Sequence, residues 1–307
     1  MTIGFDNIPD EVVTYVRQVF AGANHEVSRS LTQHPSLHEP GLDQSFVGRL
    51  NASPPAFFAA SQAAVAIETH WLGGRWMYER WEVADIAVFI LLRVRGRLIS
   101  RKVALLQTKR LYSKEIAGTE LDKTDYMIGI GRLADRVDLQ FPLSSQRTFG
   151  FDKDSVYAAL TSQSLQIEHV EAYFEDRSIP IFYGFYNPMI VPYQALYPAA
   201  ATAHLPAVNE VGMRVVPAPS VHGVANAKPA GKSPSFGELT FPAFDADDAM
   251  SIHGWRVERF VADEVLRCRQ GHLFGATTDA RLEGLLYGRG APITSAITIT
   301  IDLGRPD

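Results

Sequence analysis

The chain has little cysteine, no excess of positive charge and no long apolar run. Its single cysteine, Cys268, excludes an intramolecular disulfide framework and any multi-cysteine zinc site. Its 29 Lys and Arg against 34 Asp and Glu leave a net charge of −5, so global electrostatics do not announce a nucleic-acid partner. A protein with this balance needs a local basic groove to grip phosphates. One of the longest apolar runs, VADIAVFILL (83–92), is too short to span a bilayer and contains an acid. The N-terminal MTIGFDNIPDEVV lacks the basic start and apolar stretch of a signal peptide, and the expected setting is cytoplasmic, with no membrane partner. Also missing are H-E-x-x-H among the nine histidines, a phosphate-binding or dinucleotide glycine fingerprint, and the G-x-S-x-G hydrolase elbow.

What is present is patterning for both helix and sheet. Val12, Val16, Val19 and Phe20 repeat at helical spacing over 9–21, and a polar loop with three histidines is expected at 24–38. Leu42, Phe46 and Leu50 predict a helix over 39–50, with Pro40 in its first turn. The segment 63–73 is ambiguous between a helix end and a strand. Residues 81–94 and 98–109 predict a hairpin around Arg95-Gly96-Arg97, apolar on both faces and so covered on both sides. Helices are expected within 122–138 and 153–176, and a strand over 178–188. Residues 199–240, rich in Ala, Pro, Gly and Ser, read as a linker or long surface loop. Beyond it, 254–268 predicts an amphipathic helix. In 291–302, Ile293, Ile297, Ile299 and Ile301 alternate with polar residues as in a half-buried strand. The sequence leaves open whether that strand joins the first sheet or a separate domain.

The chemistry gathers on the hairpin. Asp85 lies early on its first strand, and Gln107 and Lys109 close its second. Side chains alternate along a strand, so Gln107 and Lys109 share a face. Folding the hairpin brings all three together. Phosphodiester cleavage needs a metal to activate water and offset phosphate charge, and Mg²⁺ prefers hard oxygen ligands. Asp85 supplies a carboxylate, Gln107 a neutral carbonyl oxygen, and Lys109 a positive charge for the attacking water or the transition state. A further carboxylate is expected from the first helix of the core: Glu39 first, then Asp43, with Glu68 as a third candidate. The plainer reading is a structural Asp–Lys pair across two strands, with Glu39 and Asp43 favouring a helix N-terminus. Seven cations fall within 95–114. Of these, Arg101, Lys102, Arg110 and Lys114 are candidates for phosphate contacts, a solvated hairpin being the alternative.

In Ala84-Asp85, Gln107-Thr108-Lys109 and the helix acid Glu39 or Asp43, the chain resembles the PD-(D/E)xK restriction-endonuclease-like superfamily. The match is to its Q-x-K variant, also found in Mrr-type restriction enzymes, and covers roughly residues 36–190. Alanine replaces the proline of the motif and glutamine its glutamate. No Q-x-x-x-Y motif of the RecB-like branch follows. The resemblance implies an α/β fold with an αβββαβ core, a mixed sheet flanked by helices, to which an α+β C-terminal extension is added. It also implies Mg²⁺- or Mn²⁺-dependent hydrolysis of DNA in restriction or antiphage defence. Asp85 and Gln107 become metal ligands with Glu39 or Asp43, and Lys109 the catalytic lysine. RNA is left open as a substrate, and a homodimer and a partner protein of a defence system are expectations by analogy. The expected division is a nuclease-like domain at 1–198, a linker at 199–240 and an extension at 241–307. The rival function is a non-catalytic nucleic-acid-binding or assembly subunit that retains the fold.

Overall fold

The computed structural model describes residues 4–35, 37–72, 83–117, 147–197, 211–239, 254–274, 280–286 and 293–304. Its centre is a mixed nine-stranded sheet, and six α-helices occur among the described residues, two of them at the N-terminal end. The first helix, α1 (Asp10–Gln33), buries Val12, Val16, Phe20, Ala23, Val27 and Leu31 along one stripe. That stripe runs past the start of the polar loop expected at 24–38. Residues 24–33 are helical because Asn24 and Ser28, polar in the sequence, lie inward and are hydrogen-bonded there. The next helix, α2 (Glu39–Asn51), opens with Pro40 in its first turn and packs on α1 through an edge-to-face contact of Phe46 with Phe20.

The strands β1 (Ala56–Phe58) and β2 (Ala63–Trp71) form one edge of the sheet, which settles the ambiguous segment as a strand. The predicted hairpin is β3 (Ala84–Val94) and β4 (Arg97–Arg110), antiparallel with Ile86 opposite Leu106. Arg95 and Gly96 join them with φ of 52° and 76°. Two successive positive-φ residues make the tight turn whose twist suits a two-residue hairpin loop. The Asp302 carboxylate accepts from the Gly96 N–H at 2.9 Å.

A small antiparallel sheet of β5 (Lys114–Ala117), β6 (Arg147–Phe151) and β8 (Tyr193–Tyr197) follows the hairpin. The helix expected over 122–138 lies outside the described residues. In 153–176 only the second part is helical: α3 (Leu165–Arg177) begins after Ser164, whose hydroxyl caps the Ile167 N–H. It leads into β7 (Ile181–Tyr186), which runs parallel to β4 with Gln107 beside Tyr183 and Arg110 beside Tyr186. The stretch read as linker contains β9 (Arg214–Pro217), antiparallel to β7, and α4 (Ala218–Asn226). Its small, proline-rich residues hide a packed helix, with Ala218, Val221 and Ala225 buried.

The helix expected at 254–268 is interrupted. It starts as a short strand, β10 (Trp255–Arg256), then α5 (Val257–Arg259) and a π-helical turn over Phe260–Val265. The strand β11 (His272–Phe274) pairs with β4, and α6 (Ala280–Leu286) precedes the last strand. That strand, β12 (Ile293–Leu303), lies inside the large sheet, antiparallel to β2 and parallel to β3. Its isoleucines fill the core and its threonines take the half-buried face, as the alternation predicts. The large sheet therefore reads β1-β2-β12-β3-β4-β7-β9-β10. The segment described in sequence terms as a C-terminal extension supplies a strand two places from its edge.

Candidate active site

The site forms where β3 begins and β4 ends, under the N-terminus of α2. The register of the hairpin, carried one step beyond Ile86 and Leu106, sets Asp85 opposite Gln107. The Gln107 amide donates to Asp85 Oδ2, and the same oxygen accepts from the Thr108 N–H at 2.6 Å and the Thr108 hydroxyl at 3.0 Å. No described residue sends a hydrogen bond to Asp85 Oδ1. The other end of the Gln107 amide, Oε1, is buried and has no hydrogen-bond partner among the described residues. A buried carbonyl oxygen left without a donor is costly unless something electropositive takes that place.

Helix α2 delivers both acids expected from it. Glu39 Oε1 accepts from the Arg110 backbone N–H at 3.1 Å. Asp43 is buried, with Oδ1 taking the Tyr186 hydroxyl at 2.6 Å and Oδ2 the Thr108 hydroxyl at 3.1 Å. Thr108 thus links carboxylates from two elements: its N–H donates to Asp85 on β3, and its hydroxyl, with a single proton, stands within hydrogen-bond reach of both Asp85 and Asp43 on α2. Burial raises the Glu39 carboxyl, opposed by the Lys109 ammonium and the Arg110 N–H. Burial also lifts Asp43 well above the usual carboxylate range, helped by the charge of Asp85 and countered by the Tyr186 and Thr108 hydrogen bonds. Asp85 is raised by burial too, against the pull of Lys109 and the Thr108 donors. Three acids held above their ordinary range in one place disfavour full ionisation unless a cation joins them.

Lys109 is buried and its Nζ donates to the Thr108 carbonyl oxygen at 2.9 Å. Its ammonium draws the pKa of both Glu39 and Asp85 down against their burial. Among the described residues, no group of three or more His, Cys, Asp or Glu side chains is arranged to hold a metal ion. A cation at this place would instead be held by a mixed set: the carboxylates of Asp85 and Glu39 and the orphaned Oε1 of Gln107. These are hard oxygen donors, which fits Mg²⁺ or Mn²⁺ rather than a thiophilic metal. Asp43 has both oxygens committed to the protein and braces β4 and β7 against α2. Glu68 sits on β2, on the far side of β12 from β3.

The candidate phosphate contacts are scattered. Lys102 is 1% exposed, with Nζ bonded to the Val265 carbonyl oxygen at 3.0 Å beneath the π-helical turn. Arg110 is 5% exposed, donates to the Leu37 carbonyl oxygen and lies 3.9 Å from the Tyr112 ring centre. Arg101 is half-buried on β4, where β11 pairs with it. Lys114, about half exposed, reaches the Asp152 carboxylate at 3.1 Å. The cationic density of 95–114 therefore does not become one shared exposed surface. Lys102 and Arg110 use their charge to bridge elements in the interior.

Two residues of the site carried no signal of their own in the sequence. Thr108 stood between Gln107 and Lys109, and alternation alone aims it at the opposite face. Tyr186 falls within the strand expected over 178–188 and is not singled out there. Pairing of β4 with β7 and the seating of α2 across both give them their roles. Comparison of the chain with protein-family models, curated proteins and solved structures returns no match.

Proposed function

We propose that this protein is a metal-dependent nuclease that hydrolyses phosphodiester bonds in DNA with Mg²⁺ or Mn²⁺. The observation that carries the reading is the gathering of Asp85, Gln107 and Lys109 with Glu39 and Asp43 at one end of the sheet, where Gln107 Oε1 has no hydrogen-bond partner among the described residues. The same residues carry the resemblance to the PD-(D/E)xK superfamily, and restriction or antiphage defence is the setting that the resemblance implies. Asp85, Glu39 and Gln107 Oε1 would hold the metal, which when bound supplies charge for the phosphate and lowers the pKa of a water. Lys109 would offer its ammonium to the attacking water or to the negative charge that develops on phosphate oxygens. Thr108 and Tyr186 fix the orientation of Asp85 and Asp43. To do this Lys109 would have to release the Thr108 carbonyl oxygen.

The test is incubation with supercoiled plasmid in Mg²⁺ or Mn²⁺. Nicking or linearisation that disappears in EDTA, in Lys109→Ala and in Asp85→Asn supports the nuclease. Cleavage that survives in both variants refutes it.

A second reading, a nucleic-acid-binding or assembly subunit without catalysis, is favoured by two observations. Asp85 Oδ2 is saturated by the protein's own donors, and Lys102 and Arg110 are buried. Mg²⁺ titration separates the two readings. Binding that Asp85→Asn removes belongs to the nuclease, whereas DNA binding that is unchanged in EDTA with no metal response belongs to the subunit.

A further inference from the structure

A cavity lies against α3, the start of β7 and the start of α4. It encloses about 250 Å³, and its walls are largely apolar: Val170, Phe174, Pro180, Ile181, Phe182 and the prolines that open α4. Among the described residues, the polar groups lining it are Glu171, His222 and Gln270, with no lysine or arginine. The nuclease reading does not use any of these residues.

The hydrogen bonds around His222 decide what the cavity can offer. Its Nδ1 is 2.9 Å from Glu171 Oε1 and its Nε2 is 3.1 Å from the Tyr183 hydroxyl. Burial lowers the pKa of the imidazole, opposed by Glu171. A neutral ring with Nδ1–H donating to the carboxylate leaves Nε2 to accept from Tyr183. Both ring nitrogens are then spent, and His222 has nothing to give a ligand. Glu171 keeps Oε2, which accepts from no described residue, and its side chain is 52% exposed. One turn along α3, Phe174 is 49% exposed and lines the same cavity. Residues three apart on a helix lie on one face, so a carboxylate and an aromatic ring stand together at an apolar mouth.

We infer that this cavity binds a small organic ammonium ion, with its hydrocarbon part among Val170, Ile181 and the prolines and its charged nitrogen between Glu171 Oε2 and the Phe174 ring. An anion would meet an unopposed carboxylate. A neutral apolar molecule would fill the volume but leave the carboxylate uncompensated as it loses water. A cation gains both the ion pair and the attraction of the ring face. The inference is independent of the metal-dependent chemistry.

The experiment is calorimetric titration of the full chain with phenethylammonium, 2-phenylethanol and 3-phenylpropionate as cation, neutral and anion of similar shape. The cation should bind at least about tenfold more tightly than the neutral alcohol, and the anion should not bind. Glu171→Gln keeps an oxygen for His222 and should reduce the cation to the level of the alcohol. Phe174→Ala should weaken the cation while leaving the thermal unfolding midpoint unchanged, because the ring is half exposed. Equal binding of cation and alcohol, an unaltered cation affinity in Glu171→Gln, or no saturable binding of the cation overturns the inference.

Discussion

Asp43 offers a direct measure of what the acid cluster costs the fold. It is 5% exposed, close enough to Asp85 to feel its charge, and braced by Tyr186 and Thr108. Asparagine has the same shape. Its Oδ1 can keep the Tyr186 hydroxyl, and its Nδ2 can donate to the Thr108 oxygen in place of the hydrogen bond it loses. The Asp43→Asn variant therefore removes the ionisable carboxyl and little else. The sign follows from proton linkage. A carboxyl whose pKa is raised in the fold holds its proton where the unfolded chain has lost it, starting from the ordinary value of 3.8. The folded state then binds more protons, so stability falls as pH rises. Each pH unit crossed with the proton on in the fold and off in the unfolded chain costs about 1.4 kcal/mol. The loss levels off above the folded-state pKa. An amide at this position does not titrate, so the variant escapes that loss.

Urea denaturation of both proteins in EDTA, across about pH 4 to pH 8, reads the difference. The advantage of Asp43→Asn should grow with pH through the lower part of that range by up to about 1.4 kcal/mol per unit. The groups shifted elsewhere in the chain, His222 among them, are common to both proteins and cancel. A stability difference that is flat in pH, or that shrinks as pH rises, refutes the claim that burial holds this carboxyl up. Adding Mg²⁺ should stabilise the wild type more at the alkaline end, because a cation favours the ionised acids.

Removal of residues 291–307 should abolish cooperative unfolding, since β2 and β3 would lose the strand between them; a folded truncation by circular dichroism and urea titration contradicts this. Tyr186→Phe strips a donor from a buried carboxyl and should cost about 1–3 kcal/mol in urea denaturation while raising Asp43 further. Lys102→Met should leave stability within about 1–2 kcal/mol and DNA affinity unaltered, because the ammonium is interior and bound to one carbonyl oxygen. A large loss of DNA binding on filter assay would place Lys102 at a surface instead. Gly254→Ala should destabilise by more than about 1 kcal/mol, since its φ is +81° and a Cβ there would meet the Val215 carbonyl oxygen at 2.2 Å.

Local rules were enough for the hairpin, for α2 and for the placing of Asp85 opposite Gln107. Two positive-φ residues at Arg95-Gly96, alternation along β4 and a fourfold apolar repeat over Leu42, Phe46 and Leu50 act within a dozen residues, and nothing distant overrides them. The rest needed contacts between elements far apart in the chain. Composition described 199–240 as a linker or long loop because small residues and prolines carry no periodic stripe, yet within it β9 found an edge of β7 to pair with. The segment 24–38 read as a polar loop, yet Asn24 lies on α1. It is buried because Glu258 and the Met213 N–H, more than 180 residues away, satisfy it. The isoleucine–threonine alternation of β12 named a half-buried strand, but strand pairing has no sequence address. Its place between β2 and β3 was decided by the sheet. So was the fate of the basic residues: a run of cations predicts charge, while β11 and the π-helical turn determined which of them see water.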